Sequence, residues 1–344
     1  MEYIKLSHGG GAKESWEIIE KLIVSRVPVE RRKTSGGFGI DVLDDGAVIK
    51  TGDKYIVVTT DSFTVNPIFF PGGNIGGLAA SGTINDLVVM GAKPVAFMDT
   101  IVVEEGFPLQ DLEEIIGTMV NIILSEGLAL IGGDFKVMPH GSIDKIVITG
   151  IGIGFTKKPI IDNKISPGDK IIVTSTIAEH GTAIMAAQLG LLDEIKDIKS
   201  DSRPLTRTVL PVVEKYIDYI HAARDPTRGG IAATLSEWVK DTDLYILFDR
   251  SLVPIRDEVK EFLDALGVDP LSMACEGVAV LAVDESVAEE VVAELHRHGE
   301  KYATIIGEVK KAEDDVIKGK VVAYTEVGGT VLIEPKSVNV PRIC

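Results

Sequence analysis

Apolar and polar positions follow two different rhythms along this chain. Leu109, Leu112, Ile116, Met119 and Ile123 recur at three- and four-residue steps, which predicts an amphipathic helix packed against a sheet. Runs such as 56–60 and 95–103 are almost continuously apolar, which is typical of strands covered on both faces. The two rhythms predict strands at 46–50, 55–60, 94–103, 128–131, 145–155, 170–175, 277–283, 304–309 and 321–324, and helices ending near 90 and at 109–125, 182–189, 207–220, 230–240, 256–266 and 285–298.

The pattern breaks at 157–167, where Lys, Pro and Asp replace the apolar runs, and a similar succession then restarts. We expect two α+β lobes, 1–157 and 158–330, because strands and helices mix in both without strict alternation. The segment 331–344 holds a short apolar run and then Pro335 and Pro341, which disfavour a helix or a central strand. The end of the chain is therefore predicted to be a flexible tail that carries Cys344.

Composition narrows the class of protein. The chain is 45% hydrophobic and carries a formal net charge of −17, which argues against nucleic acid or an anionic membrane as its main partner, since phosphate backbones are bound by clustered Lys and Arg. No apolar run approaches the roughly 18 residues that span a bilayer, and we expect no secretory signal. Two cysteines give no disulfide framework, which fits a cytoplasmic protein.

Five carboxylates stand where carboxylates are unfavourable. Asp45, Asp61 and Asp134 lie at strand ends, Asp86 lies within an apolar helix, and Asp225 opens a Pro-Thr-Arg-Gly-Gly turn. Taken singly, Asp61 also fits a surface turn, Asp225 a helix N-cap and Asp44, beside Asp45, a turn residue. A buried carboxylate is costly unless it is paired, hydrogen-bonded or bound to metal, and the basic residues nearby are too few for all five. Together they predict oxygen ligands for Mg²⁺ beside nucleotide phosphates.

Two glycine-rich segments, 8–13 and 71–77, could cradle a phosphate group. Neither has the Gly-Lys-Ser/Thr of a Walker loop, and neither is a dinucleotide-binding motif after a strand. Either segment alone also fits a flexible turn.

In order and spacing, the motifs resemble those of the PurM-like ATP-binding superfamily, which includes aminoimidazole ribonucleotide synthetase, selenophosphate synthetase and thiamine-monophosphate kinase. The motifs are His8-Gly9-Gly10-Gly11, Asp44-Asp45-Gly46-Ala47-Val48, Thr59-Thr60-Asp61-Ser62-Phe63, Asn85-Asp86-Leu87, Met90-Gly91-Ala92-Lys93-Pro94, Gly132-Gly133-Asp134 and Asp225-Pro226-Thr227-Arg228-Gly229-Gly230. Within that superfamily, the segment 67–73, the Asp225-Pro226-Thr227-Arg228 form and the terminal Pro341-Arg342-Ile343-Cys344 are similar to the HypE family of hydrogenase maturation factors. The resemblance covers essentially the whole chain.

The resemblance implies an enzyme that carries its own substrate. A HypF-type carbamoyltransferase would load a carbamoyl group on Cys344, and ATP would drive its dehydration to a thiocyanate. The cyanide ligand would then pass to iron held by a HypC–HypD complex. The resemblance also implies a two-lobed PurM-like fold, with a barrel-forming mixed-sheet N-terminal lobe, a C-terminal α/β sandwich lobe and a homodimer paired through the N-terminal lobes.

The resemblance also assigns candidate roles to residues. The metal ligands would be Asp45, Asp61, Asp86 and Asp225, and the ATP site would add Asp134, Gly10, Gly11 and Lys50. Three residues are candidates for the group that moves the amide protons: Lys136, Glu276 and His140. Burial before an apolar strand would raise the pKa of Glu276. Cys275 fits a small buried hydrophobe better than a second nucleophile.

Two alternatives remain at this point. A selenophosphate synthetase typically has a reactive Cys or selenocysteine in its N-terminal glycine loop, and residues 7–15 contain no cysteine, which argues against that activity. A nucleotide-gated carrier that only delivers a group on Cys344 would need the same tail, and ATP consumption by the carbamoylated protein separates it from an enzyme.

Overall fold

Two β-sheets, one in each half of the chain, organise the molecule. The computed structural model describes residues 3–9, 13–195, 197–325, 328–335 and 342–344. The N-terminal elements are α1 (Lys13–Leu22), β1 (Ala47–Thr51), β2 (Lys54–Phe63), β3 (Phe69–Phe70), β4 (Gly73–Asn74), α2 (Ile75–Val89), β5 (Lys93–Glu104), α3 (Leu109–Ser125), β6 (Ala129–Met138) and β7 (Ile146–Thr156). Their five-stranded sheet has the order β1-β2-β7-β5-β6, antiparallel except for the parallel pair β5 and β6.

The C-terminal elements form the second sheet. They are β8 (Lys170–Val173), α4 (Glu179–Leu189), α5 (Leu210–Tyr216), β9 (Ile220–Arg224), α6 (Gly230–Val239), β10 (Leu244–Asp249), α7 (Asp257–Leu266), β11 (Val280–Val283), α8 (Ala288–Arg297), β12 (Thr304–Lys311), β13 (Val321–Tyr324) and β14 (Thr330–Ile333). The sheet order is β14-β13-β10-β12-β8-β11-β9, with β10 and β13 the parallel pair. The α+β prediction is confirmed. None of the described helices is both long and apolar enough to cross a bilayer.

Helix α2 connects the two lobes. Every residue from Ile75 to Val89 is buried, and the helix packs against β2 and β7 on one side and contacts α5 and β9 of the C-terminal half. One continuous apolar core contains residues of both sheets. Because α2 lies inside this core, its single carboxylate, Asp86, is only 5% exposed.

The predicted elements mostly correspond to real ones in both halves, but several helices and strands of the structure were not predicted. The predicted helix 109–125 is α3, but the predicted strand 128–131 continues to Met138. The predicted helix 207–220 is wrong at its end, since the helix stops at Tyr216 and Ile220 begins β9. Of the helices and strands described above, the prediction omits six: α1, β3, β4, β9, β10 and β14.

The tail is more ordered at both described ends than we expected. Residues 331–333 belong to β14, an edge strand that pairs antiparallel with β13 on one side. Residues 336–341 lie outside the described part of the chain. At the other end, the backbone N–H groups of Thr64 and Asn66 donate to the carbonyl oxygens of Cys344 (3.2 Å) and Arg342 (3.0 Å). The last three residues are therefore docked against the N-terminal lobe.

Candidate active site

Four aspartates from separate elements meet beside α2; we call them the carboxylate cluster (Asp45, Asp61, Asp86 and Asp225). Alternation along β2 places Thr59 and Asp61 on the same side of the strand as the buried Val57 and Phe63. Asp45 precedes β1 and Asp225 follows β9. Oxygen atoms of Asp45, Asp86 and Asp225 all lie within 4.8 Å of one another. The structure thus brings together three of the four residues that the resemblance assigned to metal, and the fourth, Asp61, is close enough for its charge to act on Asp86 and Asp225.

Burial and the neighbouring carboxylates raise the pKa of Asp45, Asp86 and Asp225, which favours their protonated forms. Burial, followed by the charges of Asp61, Asp225 and Asp45, raises the pKa of Asp86 well above its usual value. Burial and Asp61 raise the pKa of Asp225 to about 7. The Thr59 hydroxyl lies 2.8 Å from the Asp45 carbonyl oxygen and 2.5 Å from Asp86 Oδ2. One hydroxyl hydrogen cannot serve both acceptors, so a protonated Asp86 completes the network.

The donor set fits a hard divalent cation. Asp45 Oδ2 and Asp225 Oδ2 are buried without a hydrogen-bond partner. Buried carboxylate oxygens normally have partners, and Mg²⁺ prefers oxygen ligands. A cation at this place would replace the protons that burial otherwise enforces.

Arg224 is the buried counter-ion beside this cluster, and the sequence analysis missed it. Its guanidinium lies 3.3 Å from Asp45 and 3.0 Å from Asp162, and it also pairs with Glu237. Burial and Asp44 raise the pKa of Asp162 to about 7, although Arg224 opposes them. The available signal was an arginine at the end of the apolar run Ile220–Arg224, directly before Asp225.

The terminal thiol lies in the same site. Burial raises the pKa of the Cys344 thiol to about 12; Arg228 opposes this shift, while Glu276, Asp61 and Asp225 add to it. Ile343 and Cys344 pack against the main apolar core. Arg342 donates from Nε to the Thr64 carbonyl at 2.6 Å and pairs with Asp144. The expectation that the last three residues make few core contacts is therefore wrong, because a backbone pairing and an ion pair hold them.

Glu276 is the most deeply buried candidate for proton transfer. It is 1% exposed, and neither carboxylate oxygen has a hydrogen-bond partner. Burial, followed by Asp225, Asp201 and Asp61, raises its pKa well above the usual value. Its backbone is fixed by Asp201, which accepts from the Glu276 N–H at 3.2 Å, and by the Asn85 side chain, which donates to its carbonyl at 3.0 Å. The neighbouring Cys275 is fully buried, as expected of a small hydrophobe.

Three of the predicted residues lie elsewhere, on or just after the exposed strand β6; we call them the β6 group (Asp134, Lys136 and His140). Lys136 Nζ lies 2.7 Å from Asp134, and both side chains are more than half exposed. The Lys136 hydrogen bond lowers the pKa of Asp134. His140 is also exposed, 3.5 Å from Glu104. Within one chain, no described contact joins the β6 group to Cys344.

The remaining predicted ATP contacts have separate positions. Lys50 is exposed on the edge strand β1, beside Gly36. Gly10 and Gly11 lie outside the described residues. The preceding Gly9 accepts from Arg228 at 3.4 Å and lines a cavity of 290 Å³ together with Asp45 and Asp225. The first glycine segment thus reaches the edge of the carboxylate cluster.

In the second glycine segment, which could cradle a phosphate, a side chain already occupies two N–H groups at the start of α2. Asn74 Oδ1 caps α2 by accepting from the N–H groups of Gly76 (3.0 Å) and Gly77 (3.1 Å). A Cβ at Gly76 would lie 2.1 Å from the Ile115 carbonyl oxygen. The glycines here permit close packing of α2 on α3.

Comparison with known proteins agrees with this geometry. Residues 43–156 match the N-terminal domain of AIR synthase related proteins, and 166–320 match the C-terminal domain. A hydrogenase expression/formation protein of Methanocaldococcus jannaschii is 42% identical over 98% of both chains. Carbamoyl dehydratase HypE of Rhizobium leguminosarum bv. viciae is 35% identical over 99% of this chain and 95% of its own.

Solved structures give the same result. A HypE–HypF complex matches with a TM-score of 0.82 and 34% identity over 93% of this chain and 99% of that chain. A HypE structure in complex with ATP matches with a TM-score of 0.80 and 34% identity over 99% and 100%. The predicted PurM-like fold is confirmed. Full-length relatives, both domain matches and the shared fold together place this chain in the HypE family of AIR synthase related proteins.

Proposed function

We propose that this protein is an ATP-dependent carbamoyl dehydratase that acts on its own C-terminal cysteine. The observation that carries the proposal is the docking of Cys344 among Arg228, Glu276, Asp61 and Asp225 of the same chain. A carrier that does no chemistry has no need to place its thiol beside a metal-type carboxylate cluster. A selenophosphate synthetase has no need of a docked terminal thiol.

The partners follow from the family. A solved relative forms a complex with HypF, and we infer that a HypF-type carbamoyltransferase loads Cys344 of this chain. The product, a thiocyanate, would supply the cyanide ligand of the [NiFe]-hydrogenase iron through a HypC–HypD complex. These events belong in the cytoplasm, where two free cysteines remain reduced.

The reaction removes water in two steps. The carbamoyl oxygen takes the γ-phosphoryl group of ATP, which yields ADP, and one amide proton leaves as the C=N bond forms. The C–O bond then breaks, so that phosphate departs with the second amide proton and the S–C≡N group remains. Phosphorylation is required because an amide oxygen is a poor leaving group, and such transfers depend on positioning and charge neutralisation.

The carboxylate cluster would hold Mg²⁺ against the ATP phosphates. Bound Mg²⁺ supplies the positive charge that neutralises the transferring phosphoryl group. Arg228, whose pKa is raised chiefly by Cys344, is the protein cation beside the thiol. Asp134, Lys50, Gly10 and Gly11 stay proposed ATP contacts.

Glu276 is the proposed proton acceptor. Its pKa is raised by burial, so its carboxylate form takes a proton more readily than an exposed glutamate does. The same shift means that dehydration should speed up as pH rises through the raised pKa, because the deprotonated form is the active one. Lys136 and His140 stay proposed proton groups that one chain alone does not bring to Cys344.

We also propose a homodimer formed through the N-terminal sheet. The edge strand β6 exposes a set of large apolar side chains, Leu130, Ile131, Phe135, Val137 and Met138. An exposed apolar edge strand normally needs a cover, since it would otherwise pair with other chains. A second copy of the same strand would provide that cover.

Mass analysis of the intact C-terminal peptide tests the activity. After incubation with a HypF-type enzyme, carbamoyl phosphate and ATP, Cys344 should first carry a carbamoyl group and then a species lighter by one water. The Cys344→Ala variant should carry neither. A carbamoyl group that persists in the presence of Mg–ATP, with no ATP consumed, would identify the protein as a carrier.

A further inference from the structure

His180 is a fully buried histidine that contacts the tail. It lies in the first turn of α4, and its Nε2 is 2.7 Å from the carbonyl oxygen of Ile343, the residue before the terminal cysteine. Its other nitrogen, Nδ1, is 2.7 Å from Ser200 Oγ. Neither the carboxylate cluster nor Glu276 accounts for this histidine.

The chemistry of the two contacts fixes which nitrogen carries the hydrogen. A carbonyl oxygen only accepts, so Nε2 must be the donor. Ser200 Oγ accepts from the Ser202 N–H at 3.1 Å, which leaves the hydroxyl hydrogen free to point at Nδ1. Burial lowers the pKa of His180, which favours the neutral ring. With the neutral Nε2–H form, each of the three hydrogen bonds that link the Ser202 N–H, Ser200 Oγ, the His180 ring and the Ile343 carbonyl has one donor and one acceptor.

The second glycine segment holds the ring in place. Phe70 packs edge-on against His180, with ring centroids 5.5 Å apart and planes at 89°. The Ser200 N–H donates to the Pro71 carbonyl at 2.8 Å. Gly72 has φ +99°, and a Cβ there would lie 2.9 Å from both Ser200 N and Ser200 O. This turn can approach Ser200 only with glycine at that position.

We propose that His180 is a positioning residue that keeps the tail docked, by donating from Nε2 to the Ile343 carbonyl while Phe70, Gly72 and Ser200 hold the ring in register. The inference rests on the proposed function, because a docked tail serves catalysis only if the chemistry occurs on Cys344. The hydrogen bond contacts the tail backbone at Ile343, one residue before the thiol. It can therefore position Cys344 Sγ without contacting the group bound to Sγ.

Alkylation of Cys344 measures docking without any turnover. Iodoacetamide reacts with the undocked thiol, and the mass of the C-terminal peptide separates Cys344 from the buried Cys275. Loss of one hydrogen bond shifts such an equilibrium by about three- to tenfold. We expect His180→Leu to raise the alkylation rate by that factor, and His180→Gln, which keeps an N–H donor, to stay near wild type.

His296, in α8, offers a matched control, since its Nε2 lies 2.8 Å from the Ala303 carbonyl. His296→Leu should leave Cys344 alkylation unchanged. An unchanged rate in His180→Leu, or a rate in His180→Gln as fast as in His180→Leu, overturns the proposal.

A second measurement separates a tail-holding role from a purely structural one. Thermal melting of His180→Leu is compared in the full chain and in a chain that ends at residue 341. The melting temperature should fall more in the full chain, because only there is a bond to Ile343 lost. An equal fall in melting temperature in both chains would mean that His180 stabilises the core but does not hold the tail. Both readouts stand even if the dehydration reaction itself is not observed.

Discussion

The carboxylate cluster and the β6 group both contain aspartates that the sequence places at strand ends, yet the structure gives them opposite environments. In the first, burial raises the pKa of Asp86 and Asp225. In the second, a hydrogen bond from Lys136 lowers the pKa of Asp134. The difference is the element that covers each strand. The fully buried α2 lies over β2, whereas β6 is an edge strand with exposed faces.

The largest expected effect tests this contrast at the metal site. Asp86→Asn should abolish Mg²⁺-dependent ATP binding, because it removes a charge from the ligand set, and it should stabilise the metal-free fold by relieving repulsion among buried carboxylates. Asp134→Asn, the matched change in the β6 group, should weaken Mg–ATP binding far less than Asp86→Asn, because Asp134 is half exposed, paired with Lys136 and outside the carboxylate cluster. Calorimetric titration and thermal melting check both. Wild-type affinity in Asp86→Asn would refute the metal site.

The next effect concerns the proton acceptor. Glu276→Gln should load normally and then accumulate the carbamoyl form, with dehydration slowed by about 10²–10⁴. Lys136→Met should load equally well, and its dehydration rate should fall less than about tenfold, because the Lys136 side chain is exposed and paired with Asp134. Single-turnover mass analysis of the terminal peptide gives both rates. If both variants lost the same factor in dehydration rate, Lys136 would be as important as Glu276, and the β6 group would have to act at the site of a second subunit.

The third prediction concerns the proposed homodimer and the exposed apolar side chains of β6. Ile131→Glu places a charge on the apolar β6 surface and should shift a dimer to monomer without unfolding it, because Ile131 is 57% exposed in the single chain. Thr304→Glu, in the other lobe, is the comparison variant. Light scattering at several concentrations distinguishes the states. A monomer mass for the wild-type protein at every concentration would refute the proposed homodimer.

The smallest expected effect is a pH dependence of the stability of the fold, caused by buried carboxyl groups. Asp162 and Asp225 have pKa values of about 7 in the folded chain, above the ordinary value of 3.8. The folded state therefore holds more protons than the unfolded state between these values, and stability should fall as pH rises from about 4 to 7. Melting temperatures in EDTA should show this fall. Added Mg²⁺ should reduce it, because the cation replaces the protons.

Sequence reasoning succeeded where the pattern is local. Helix α3 has a clear apolar stripe bounded by glycine-containing turns, and its limits were predicted correctly. Strand β10 was omitted although Leu244, Ile246 and Phe248 alternate with less buried residues, since six residues next to a charged turn give a weak signal.

The docked tail could not be predicted from local pattern at all. Its partner Thr64 lies 280 positions away along the chain. Arg224 was missed for a similar reason, because its role depends on Asp44, Asp45 and Asp162 of the N-terminal half and the connecting segment. Contacts between distant segments become visible only once both sheets are assembled.

Strand β14 has a kinetic consequence. Because it fastens the chain at Ile333, Cys344 is a tethered substrate whose effective concentration at the site is set by a short linker, typically in the millimolar range. Dehydration of a loaded chain should therefore be first order and unaffected by dilution. Any partner that receives or donates a group must compete with this intramolecular encounter, so transfer requires a partner that captures the tail while it is away from its own site.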